Sequence, residues 1–350
     1  MRNLFFILLF ILLLDQVYGA NISIIAVGDI MPGTNYPDES YLPENDGEEL
    51  ISSMLKSILM SGDITCGNLE GCILDYGEKS ERKKSKYLFR IPENLSSVLS
   101  DSGFDLLSIA NNHAGDFGDA GRFNTWKVLD SLEIGYAGQL ECPTCIIERE
   151  GNKIGFIALA PNRNCLSHWD MQDVKRLIAE LKKNCDLVVA SMHYGGEGEE
   201  FLHLKNETEF YYGENRGNPV EIGHQLVDAG VDLVIGSGPH LPRAMECYMG
   251  KLIAYSLGNF LTWRRFNLSG EYRPLAPILR VNYDSQGNFH SGEIISCTQN
   301  YHQGVQLDNQ KRAFKLIKSL TEDDFDDTGL HFEDGEQGTS FSPAAKVLDE

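Results

Sequence analysis

The chain has 350 residues, of which 42% are hydrophobic and 23% are charged, as is typical of a folded globular protein. Its 51 acidic and 30 basic residues give a formal net charge of -21, which argues against nucleic acid or anionic lipid as a general partner, because both bind cationic surfaces. The 34 glycines follow no fixed period, which excludes collagen-like and low-complexity chains.

The first 20 residues predict a secretory signal peptide. Arg2 precedes the apolar run 4–14, and the small residues Gly19 and Ala20 offer a cleavage site. This run is shorter than the roughly 20 apolar residues that cross a bilayer, although an uncleaved membrane anchor remains the alternative. We therefore expect a secreted or extracytoplasmic protein.

After residue 20, buried strand patterns alternate with amphipathic helix patterns, which predicts a single α/β domain over residues 21–320. The predicted strands are 22–30, 63–69, 104–110, 144–148, 153–159, 186–192 and 232–235, and the predicted helices are 48–60, 92–102, 121–132, 170–183 and 220–229. The final part is richer in strands, with patterns at 243–248, 252–256, 278–283 and 292–298 before a helix over 310–320. From Thr321 the chain becomes acidic, and we expect residues 321–350 to form a solvated tail.

Polar side chains follow the carboxyl ends of five predicted strands. Because ligands gather at the carboxyl ends of strands in open α/β sheets, we expect these side chains to meet. Carboxylate, amide and imidazole groups are the ligands of hard or borderline divalent cations, so the pattern predicts a metal site. The groups concerned are Asp29, Asn68 with Glu70, Asn111 to His113, His193 with Glu197, and His240. Taken singly, each has a structural explanation as a turn former, a cap or a hydrogen-bonded core residue.

The order of these motifs resembles the capsule-synthesis CapA family, also called poly-γ-glutamate synthesis proteins. The stretches that carry the resemblance are G-D-I-M, N-L-E-G, A-N-N-H-A-G-D-F-G, H-Y-G-G-E, G-S-G-P-H and Y-S-L-G-N-F. That family is similar in turn to the calcineurin-like metallophosphoesterases. The resemblance implies a four-layer αββα sandwich with a dinuclear site for divalent metal ions, for which Mn, Fe, Zn and Mg are candidates.

The resemblance also implies roles for individual residues. It makes His113 the general acid. Separately, we expect Asn259 to face the same pocket as a neutral partner of metal-bound water, because Gly258 lets the backbone bend sharply after the strand. Glu197, Arg82 and Lys86 are candidates for contacts with substrate or with the metal ligands. The implied metal ligands are Asp29, Glu70 or Asn68 as the bridging group, Asn112, His193 and His240.

Two positions depart from the pattern of the enzymes. The first enzyme motif normally has a histidine two places after the aspartate, where this chain has Met31. The closing motif normally has two histidines, and here Ser237 and Gly238 leave only His240. Each lost imidazole weakens one metal position, so we expect a mononuclear or weakly dinuclear site.

Two functions are compatible with this sequence. The first is a metal-dependent hydrolase or transferase for a phosphoester or amide, in which His113 protonates the leaving group. The second is a non-catalytic factor that binds an anionic polymer, alone or with a membrane-bound polymer synthase. A basic patch that includes Arg82 and Lys86 could hold such a polymer, although a solvated loop is the simpler interpretation. The long segment 199–218 is placed to cover the site as a lid.

Overall fold

The computed structural model describes residues 21–81, 87–335 and 338–344. The helices are α1 (Ser53–Leu59), α2 (Ser97–Asp101), α3 (Gly118–Ser131), α4 (Met171–Asn184), α5 (Pro219–Asp228) and α6 (Arg312–Asp324). The strands are β1 (Ile22–Met31), β2 (Ile64–Leu69), β3 (Cys72–Ile73), β4 (Arg90–Ile91), β5 (Leu106–Ser108), β6 (Gly135–Ala137), β7 (Thr144–Arg149), β8 (Asn152–Leu159), β9 (Leu187–His193), β10 (Phe210–Tyr211), β11 (Glu214–Asn215), β12 (Leu233–Ser237), β13 (Met245–Tyr248), β14 (Lys251–Ala254), β15 (Asn259–Thr262), β16 (Ile278–Tyr283), β17 (Phe289–Ile295), β18 (Cys297–Asn300), β19 (Gly304–Leu307), β20 (Leu330–Gly335) and β21 (Gly338–Pro343).

Two large mixed sheets form the centre of the fold. The first has the strand order β20-β21-β17-β16-β1-β2-β5-β6, and β15 also pairs with β1. The second has the order β13-β14-β12-β9-β8-β7. In the first sheet β1, β2, β5 and β6 are parallel, and in the second β8, β9, β12 and β14 are parallel. The carboxyl ends of the central strands therefore lie at one edge of each sheet.

The side chains of the central strands alternate between two hydrophobic layers. In β1, Ile24 and Ala26 pack between the two sheets, whereas Ile25 and Val27 pack under the outer helices. β9 shows the same period of two, as strands require, with Val189 in the central layer and the next residue facing outward. Helices α1, α2 and α3 cover the first sheet, and α4 and α5 cover the second. The predicted four-layer αββα sandwich is therefore confirmed.

Two predicted helices are shorter than the hydrophobic pattern indicated. The helix expected over 48–60 spans only Ser53–Leu59, because the Ser52 side chain accepts the Leu55 amide and caps the helix there. The helix expected over 92–102 is divided into a 3-10 turn, Glu93–Ser96, and α2. The apolar residues that precede α1 pack in the outer core without being helical.

The prediction of a solvated acidic tail is wrong for the described residues after 320. Helix α6 continues to Asp324, because Leu320 and Thr321 are buried and the Thr321 hydroxyl accepts the Met245 amide. Strands β20 and β21 then pair as a hairpin, and β21 pairs with β17 of the first sheet. Phe341 is only 2% exposed and packs in the central layer. Residues 345–350 lie outside the described part.

The segment between β14 and β15 crosses from the second sheet to the first. The Leu257 amide donates to the Gly236 carbonyl at the end of β12, and the Asp29 amide in β1 donates to the Gly258 carbonyl. A Cβ at Gly28 would lie 1.8 Å from the Gly258 oxygen, so no side chain fits there. This crossing segment joins the edges of the two sheets where the polar side chains gather.

No helix among the described residues is long and apolar enough to span a membrane. The predicted signal peptide, residues 1–20, lies outside the described part of the chain.

Substitution of Gly28 by alanine is expected to destabilise the protein, because the added methyl group overlaps the Gly258 carbonyl. We expect a loss of about 1–3 kcal/mol in the free energy of unfolding, the usual cost of overpacking. Urea denaturation measures it. Gly115→Ala is the control, because a Cβ there meets no atom within 4 Å and Gly115 does not have a left-handed φ; its loss should be smaller. Equal losses in the two variants would contradict the close approach.

Candidate metal centre

The carboxyl ends of β1, β2 and β9 bring three ionisable side chains to one point. Donor atoms of Asp29, Glu70 and His193 lie within 4.8 Å of one another, and all three residues are buried. Asp29 lies opposite Asn68 in the parallel pairing of β1 with β2, and Glu70 follows two residues after Asn68. The two sheets therefore contribute to one cluster, as the strand-end pattern predicted.

A chain of amide hydrogen bonds fixes the Asp29 carboxylate. Asn68 Nδ2 donates to Asp29 Oδ1 over 2.8 Å, and Asn68 Oδ1 accepts from Asn111 Nδ2 over 3.1 Å. Asn111 also donates to the Leu69 carbonyl and accepts the His113 amide. Because each amide has its oxygen and nitrogen engaged, the orientation of the Asn68 side chain is determined. Asn68 supports Asp29 in this structure, and its role as a ligand stays a prediction.

Glu70 carries the least compensated charge in the site. Its carboxyl group is buried, and neither oxygen has a hydrogen-bond partner among the described residues. Burial, together with the nearby Asp29 charge, raises the pKa of Glu70 well above its usual value. The nearest basic groups are His113 Nε2 at 3.8 Å and His240 Nε2 at 3.9 Å, both beyond hydrogen-bond distance of Glu70 Oε1. Glu70 is therefore the clearest indication that a metal ion belongs here.

His193 presents a neutral imidazole nitrogen to the same point. Burial lowers the pKa of His193 to about 3, so the ring is uncharged at neutral pH. Nδ1 lies 3.1 Å from the Ser237 hydroxyl, and Nε2 is buried with no hydrogen-bond partner among the described residues. Neutral imidazole is the form that ligates metals, and a polar partner at the other nitrogen fixes the ring.

His240 closes the site from the loop after β12. It has the left-handed φ of 61°, and its Nδ1 lies 3.0 Å from Asp29 Oδ2. Its Nε2 is 3.9 Å from both Glu70 Oε1 and Glu197 Oε2. Burial opposes a charge on the ring, but the three carboxylates together raise the pKa of His240 to about 10. Burial likewise opposes a charge on Asp29, but the hydrogen bond to His240 and the nearby His193 lower the pKa of Asp29.

His113 forms a dyad with Asp116. Its Nδ1 lies 2.8 Å from Asp116 Oδ2, and its Nε2 is directed at the cluster, 3.8 Å from Glu70 Oε1. The carboxylate holds a proton on Nδ1 and stabilises the ring when it is charged, so Nε2 is the nitrogen that exchanges protons with a substrate. Asp116 also accepts the Phe89 amide and so ties a neighbouring loop to the site.

An aromatic pair separates the two flanking histidines from solvent. The Phe89 ring packs against His113 with centroids 4.1 Å apart, and it stacks on Phe266 at 4.7 Å. Phe266 in turn meets the His240 ring edge-on at 5.2 Å. Both phenylalanines are more than nine-tenths buried. They limit water access on this side of the cluster and strengthen its electrostatic interactions.

The other predicted site residues differ in position. Asn259 is fully buried opposite Asp29 in the pairing of β1 with β15, and its Nδ2 donates to the His240 carbonyl. Glu197 lies at the rim and accepts a 3.1 Å hydrogen bond from Arg216. Asn112 is half-buried, while the preceding Asn111 joins the amide chain described above. Arg82 and Lys86 lie outside the described residues.

The donor set fits a divalent cation. Both Glu70 oxygens, His193 Nε2 and Asn259 Oδ1 are buried and without hydrogen-bond partners in the described part of the chain. Orphaned groups of this kind are rare in a folded protein and indicate that an ion or water binds beside them. Two carboxylates and a neutral imidazole suit a borderline divalent metal. Asp29, Glu70 and His193 would hold it, with His240 and Asn259 beside them.

The two departures from the enzyme motifs have structural counterparts. Met31 is fully buried in the outer hydrophobic layer and contributes no ligand. Gly238 lies against His193, and a Cβ at Gly238 would be 3.3 Å from the His193 ring. This donor set is compatible with the mononuclear or weakly dinuclear site that the lost imidazoles predict.

Sequence reasoning missed several residues that shape the site. Asp116 could have been found, because it lies three residues after His113 in the same turn. Ser237 stands in the G-S-G-P-H motif, directly after buried Gly236. Phe89 and Phe266 carried no signal, because each belongs to a loop whose position depends on tertiary contacts.

The His240 pKa predicts how the metal-free protein responds to pH. The pKa of His240 is raised from its ordinary value of about 6.5 to about 10. Below pH 6.5 this histidine therefore contributes fully to the free energy of unfolding, and its contribution is lost as the pH rises toward 10. We therefore expect the stability difference between the wild-type protein and His240→Asn to shrink between pH 7 and 10. Asparagine tolerates the left-handed φ, so this substitution removes the charge without straining the backbone. Chemical denaturation in EDTA measures the difference, and a difference that does not change with pH would rule out the charged ring.

Comparison with known proteins agrees with the motifs. Residues 23–263 match the family model of the bacterial capsule synthesis protein PGA_cap. The chain is 28% identical over 264 residues to the PGA biosynthesis protein CapA of Bacillus subtilis (strain 168), covering 71% of this chain and 64% of that protein. It is 25% identical over 255 residues to the capsule biosynthesis protein CapA of Bacillus anthracis, covering 67% and 58% respectively.

The chain thus spans about three fifths of the length of these curated relatives, 64% and 58%. Its fold is similar to that of a hypothetical protein from Thermus thermophilus, with a TM-score of 0.51 and 15% identity, covering 80% of this chain and 100% of that one. Because the family model matches well over half of the sequence, this protein belongs to the PGA_cap family of bacterial capsule synthesis proteins.

Proposed function

We propose that this protein is an exported, metal-dependent hydrolase or transferase that acts in the synthesis or handling of a poly-γ-glutamate-like exocellular polymer. One observation carries the catalytic part: donor atoms of Asp29, Glu70 and His193 lie within 4.8 Å of one another, and both oxygens of buried Glu70 have no hydrogen-bond partner among the described residues. The polymer is suggested by the names of the Bacillus relatives, which are described as PGA and capsule biosynthesis proteins. The basic patch that includes Arg82 and Lys86 remains a candidate contact for it.

The residues of the chain divide the chemistry among them. Asp29, Glu70 and His193 would hold one or two divalent ions, for which Mn, Fe, Zn and Mg are candidates. Such an ion, when bound, acidifies water and polarises a phosphoryl or acyl oxygen. His113 Nε2 faces the cluster and donates a proton to the leaving atom of the substrate, and Asp116 holds the ring in position.

Export is supported by the sequence of residues 1–20, with its apolar run and its small residues before Asn21. An exocellular polymer is met outside the cytoplasm, so an exported enzyme and this substrate class agree. A membrane-bound polymer synthase is the partner that we propose for synthesis, with no role for nucleic acid because the chain carries a net charge of -21.

Substitution of two histidines should separate metal binding from proton transfer. We expect His193→Ala to lose bound metal, because it removes a buried unpartnered nitrogen from the cluster. We expect His113→Ala to keep its metal and to lose about 10²- to 10⁴-fold in hydrolytic rate, the usual contribution of a positioned acid. Elemental analysis measures the metal, and turnover of bis(p-nitrophenyl) phosphate measures the rate.

The exposed His302 provides the matched control, because His302→Ala removes an imidazole far along the chain from the strand-end motifs. This variant should keep both metal and rate. Equal metal loss in His113→Ala and His193→Ala would make His113 a ligand. Full activity in both would place the chemistry elsewhere.

The alternative function is a non-catalytic polymer-binding or assembly factor. It is favoured by Met31 and Gly238, which stand where the enzymes have histidines and add no ligand here. Incubation of the metal-loaded protein with poly-γ-glutamate tests the two functions directly. We expect the polymer to shorten in size-exclusion chromatography and EDTA to stop the shortening. If the protein retains the polymer at full length and shows no phosphodiester turnover, the non-catalytic binding function is the correct one.

A further inference from the structure

A cleft of about 320 Å³ opens beside the metal centre. Residues 197–200 form one wall, the tip of the β10–β11 hairpin forms another, and Arg273 completes it. We call it the Arg273 cleft. Glu197 belongs to both places, because its Oε2 lies 3.9 Å from His240 Nε2 while its side chain lines the cleft. The cleft and the metal centre therefore share Glu197.

Arg273 offers a nearly free guanidinium to this cleft. Its side chain makes one long hydrogen bond within the described chain, 3.4 Å from Nη1 to the Ser269 carbonyl. Its Nη2 lies against Gly198, where a Cβ would come within 2.8 Å. Its backbone carbonyl accepts from Asn259 Nδ2, which ties Arg273 to the metal centre. A guanidinium with its donors available is suited to a carboxylate.

The two residues after Gly198 add negative charge to the cleft. Glu199 and Glu200 line the cleft and are exposed, and the structure gives neither side chain an ion pair with a described residue. Glu199 Oε1 lies beside Gly270, where a Cβ would come within 2.3 Å. Glycine at position 270 thus leaves room for this carboxylate near Arg273. The cleft holds charges of both signs without pairing them.

Aromatic rings line the cleft, and a buried arginine lies next to one of them. The Tyr211 and Tyr212 rings meet at 4.4 Å, and Tyr212 is 91% exposed. The Arg216 guanidinium lies 5.6 Å from the Tyr211 ring centroid and bonds to Glu197. Arg216 is only 6% exposed, and its Nε has no hydrogen-bond partner in the described part of the chain. Tyrosine faces attract ammonium groups, so the rings add to the attraction of the carboxylates for a cation.

We propose that the Arg273 cleft binds the amino-terminal residue of a γ-linked glutamyl chain. That residue carries an α-carboxylate for Arg273 and an α-ammonium for Glu199, Glu200 and the tyrosines. This inference rests on the proposed function, and it assigns the end of the polymer, rather than its interior, to the position next to the metal centre.

The charges of the cleft favour a zwitterion over the alternatives. An interior segment of poly-γ-glutamate carries only carboxylates, which Glu197, Glu199 and Glu200 would repel. Inorganic phosphate would meet the same three carboxylates. A neutral sugar would leave the Arg273 donors without a charged partner.

Isothermal titration with the metal-free protein in EDTA tests the inference. The probes are γ-glutamylglutamate, its N-acetyl derivative and inorganic phosphate. We expect the free-amine dipeptide to bind at least about 10-fold more tightly than the other two probes. Only this dipeptide carries the ammonium group, and a hydrogen bond to a charged group contributes about that factor in affinity. Arg273→Gln should weaken its binding about 10- to 100-fold. Arg176→Gln is the matched control, because Arg176 lies on the exposed face of α4 in pairs with Asp173 and Glu180.

The double variant Glu199→Gln/Glu200→Gln provides the signature of ammonium recognition. It should bring the affinities of the free-amine and acetylated dipeptides close together. Equal binding of these two probes to the wild-type protein, unchanged binding in Arg273→Gln, or no binding of the free-amine dipeptide would each overturn the inference. Polymer shortening that persists without dipeptide binding would leave the proposed function standing. Dipeptide binding without any turnover would support the inference about the cleft and contradict the proposed enzymatic activity.

Discussion

The hydrogen bond from the Asp29 amide to the Gly258 carbonyl determines where the two sheets of this protein meet. It is possible only because Gly28 has no side chain to hold the crossing segment away from β1. The same segment approaches the end of β12, where a Cβ at Gly236 would lie 1.9 Å from the Tyr255 carbonyl oxygen. The segment between β14 and β15 thus holds the carboxyl ends of β1 and β12 next to each other. Asp29 and His240 come within hydrogen-bond distance as a result.

This closure concentrates charge that the protein alone does not balance. Asp29 has His240 and Asn68 as hydrogen-bond partners, but the neighbouring Glu70 has no hydrogen-bond partner among the described residues and only distant contacts, at 3.8 and 3.9 Å, with His113 and His240. A buried carboxylate without donors is costly, because the interior does not replace the lost hydration. Proteins retain costly arrangements of this kind chiefly at functional sites. A divalent cation at that point would relieve Glu70, engage neutral His193 and explain why both are buried.

The contacts that hold the cluster and the exposed charges beside it belong to different parts of the site. The amide chain through Asn68 and Asn111, the dyad of His113 with Asp116, and the Phe89–Phe266 pair hold the cluster in one geometry. The Arg273 cleft lies outside this shell, on loops that carry exposed charges and rings. Exposed loops positioned by a packed scaffold are where proteins commonly place their binding residues.

The segment 199–218 shows how a buried ion pair restricts a long loop. Arg243 is fully buried and donates to both oxygens of Glu209, which also accepts the Gly196 amide. The middle of the segment is therefore fixed to Arg243, just before β13, and Tyr211 and Tyr212 of the β10–β11 hairpin line the Arg273 cleft. The sequence predicted a lid from length alone, and the structure anchors that lid in the middle.

The sequence by itself determined the fold class and much of the cluster. Alternating apolar runs set the strands, because buried parallel strands need continuous hydrophobic residues, and the polar residue after each strand marked the ligand edge. Asp29, Glu70, His193 and His240 were found in this way. The acidic run after Thr321 misled the same reasoning, because net charge does not reveal that Leu320 and Phe341 are buried.

Only the tertiary structure decided which neighbours act on these residues. Asn111 rather than Asn112 joins the amide chain to Asn68, because a shift of one residue turns the side chain to another direction. Phe89 and Phe266 meet across loops that are far apart in the chain. The Arg273 cleft combines three separate segments. Local patterns specify which face of an element is buried, whereas contacts between distant segments depend on how the elements pack, and no local pattern encodes that packing.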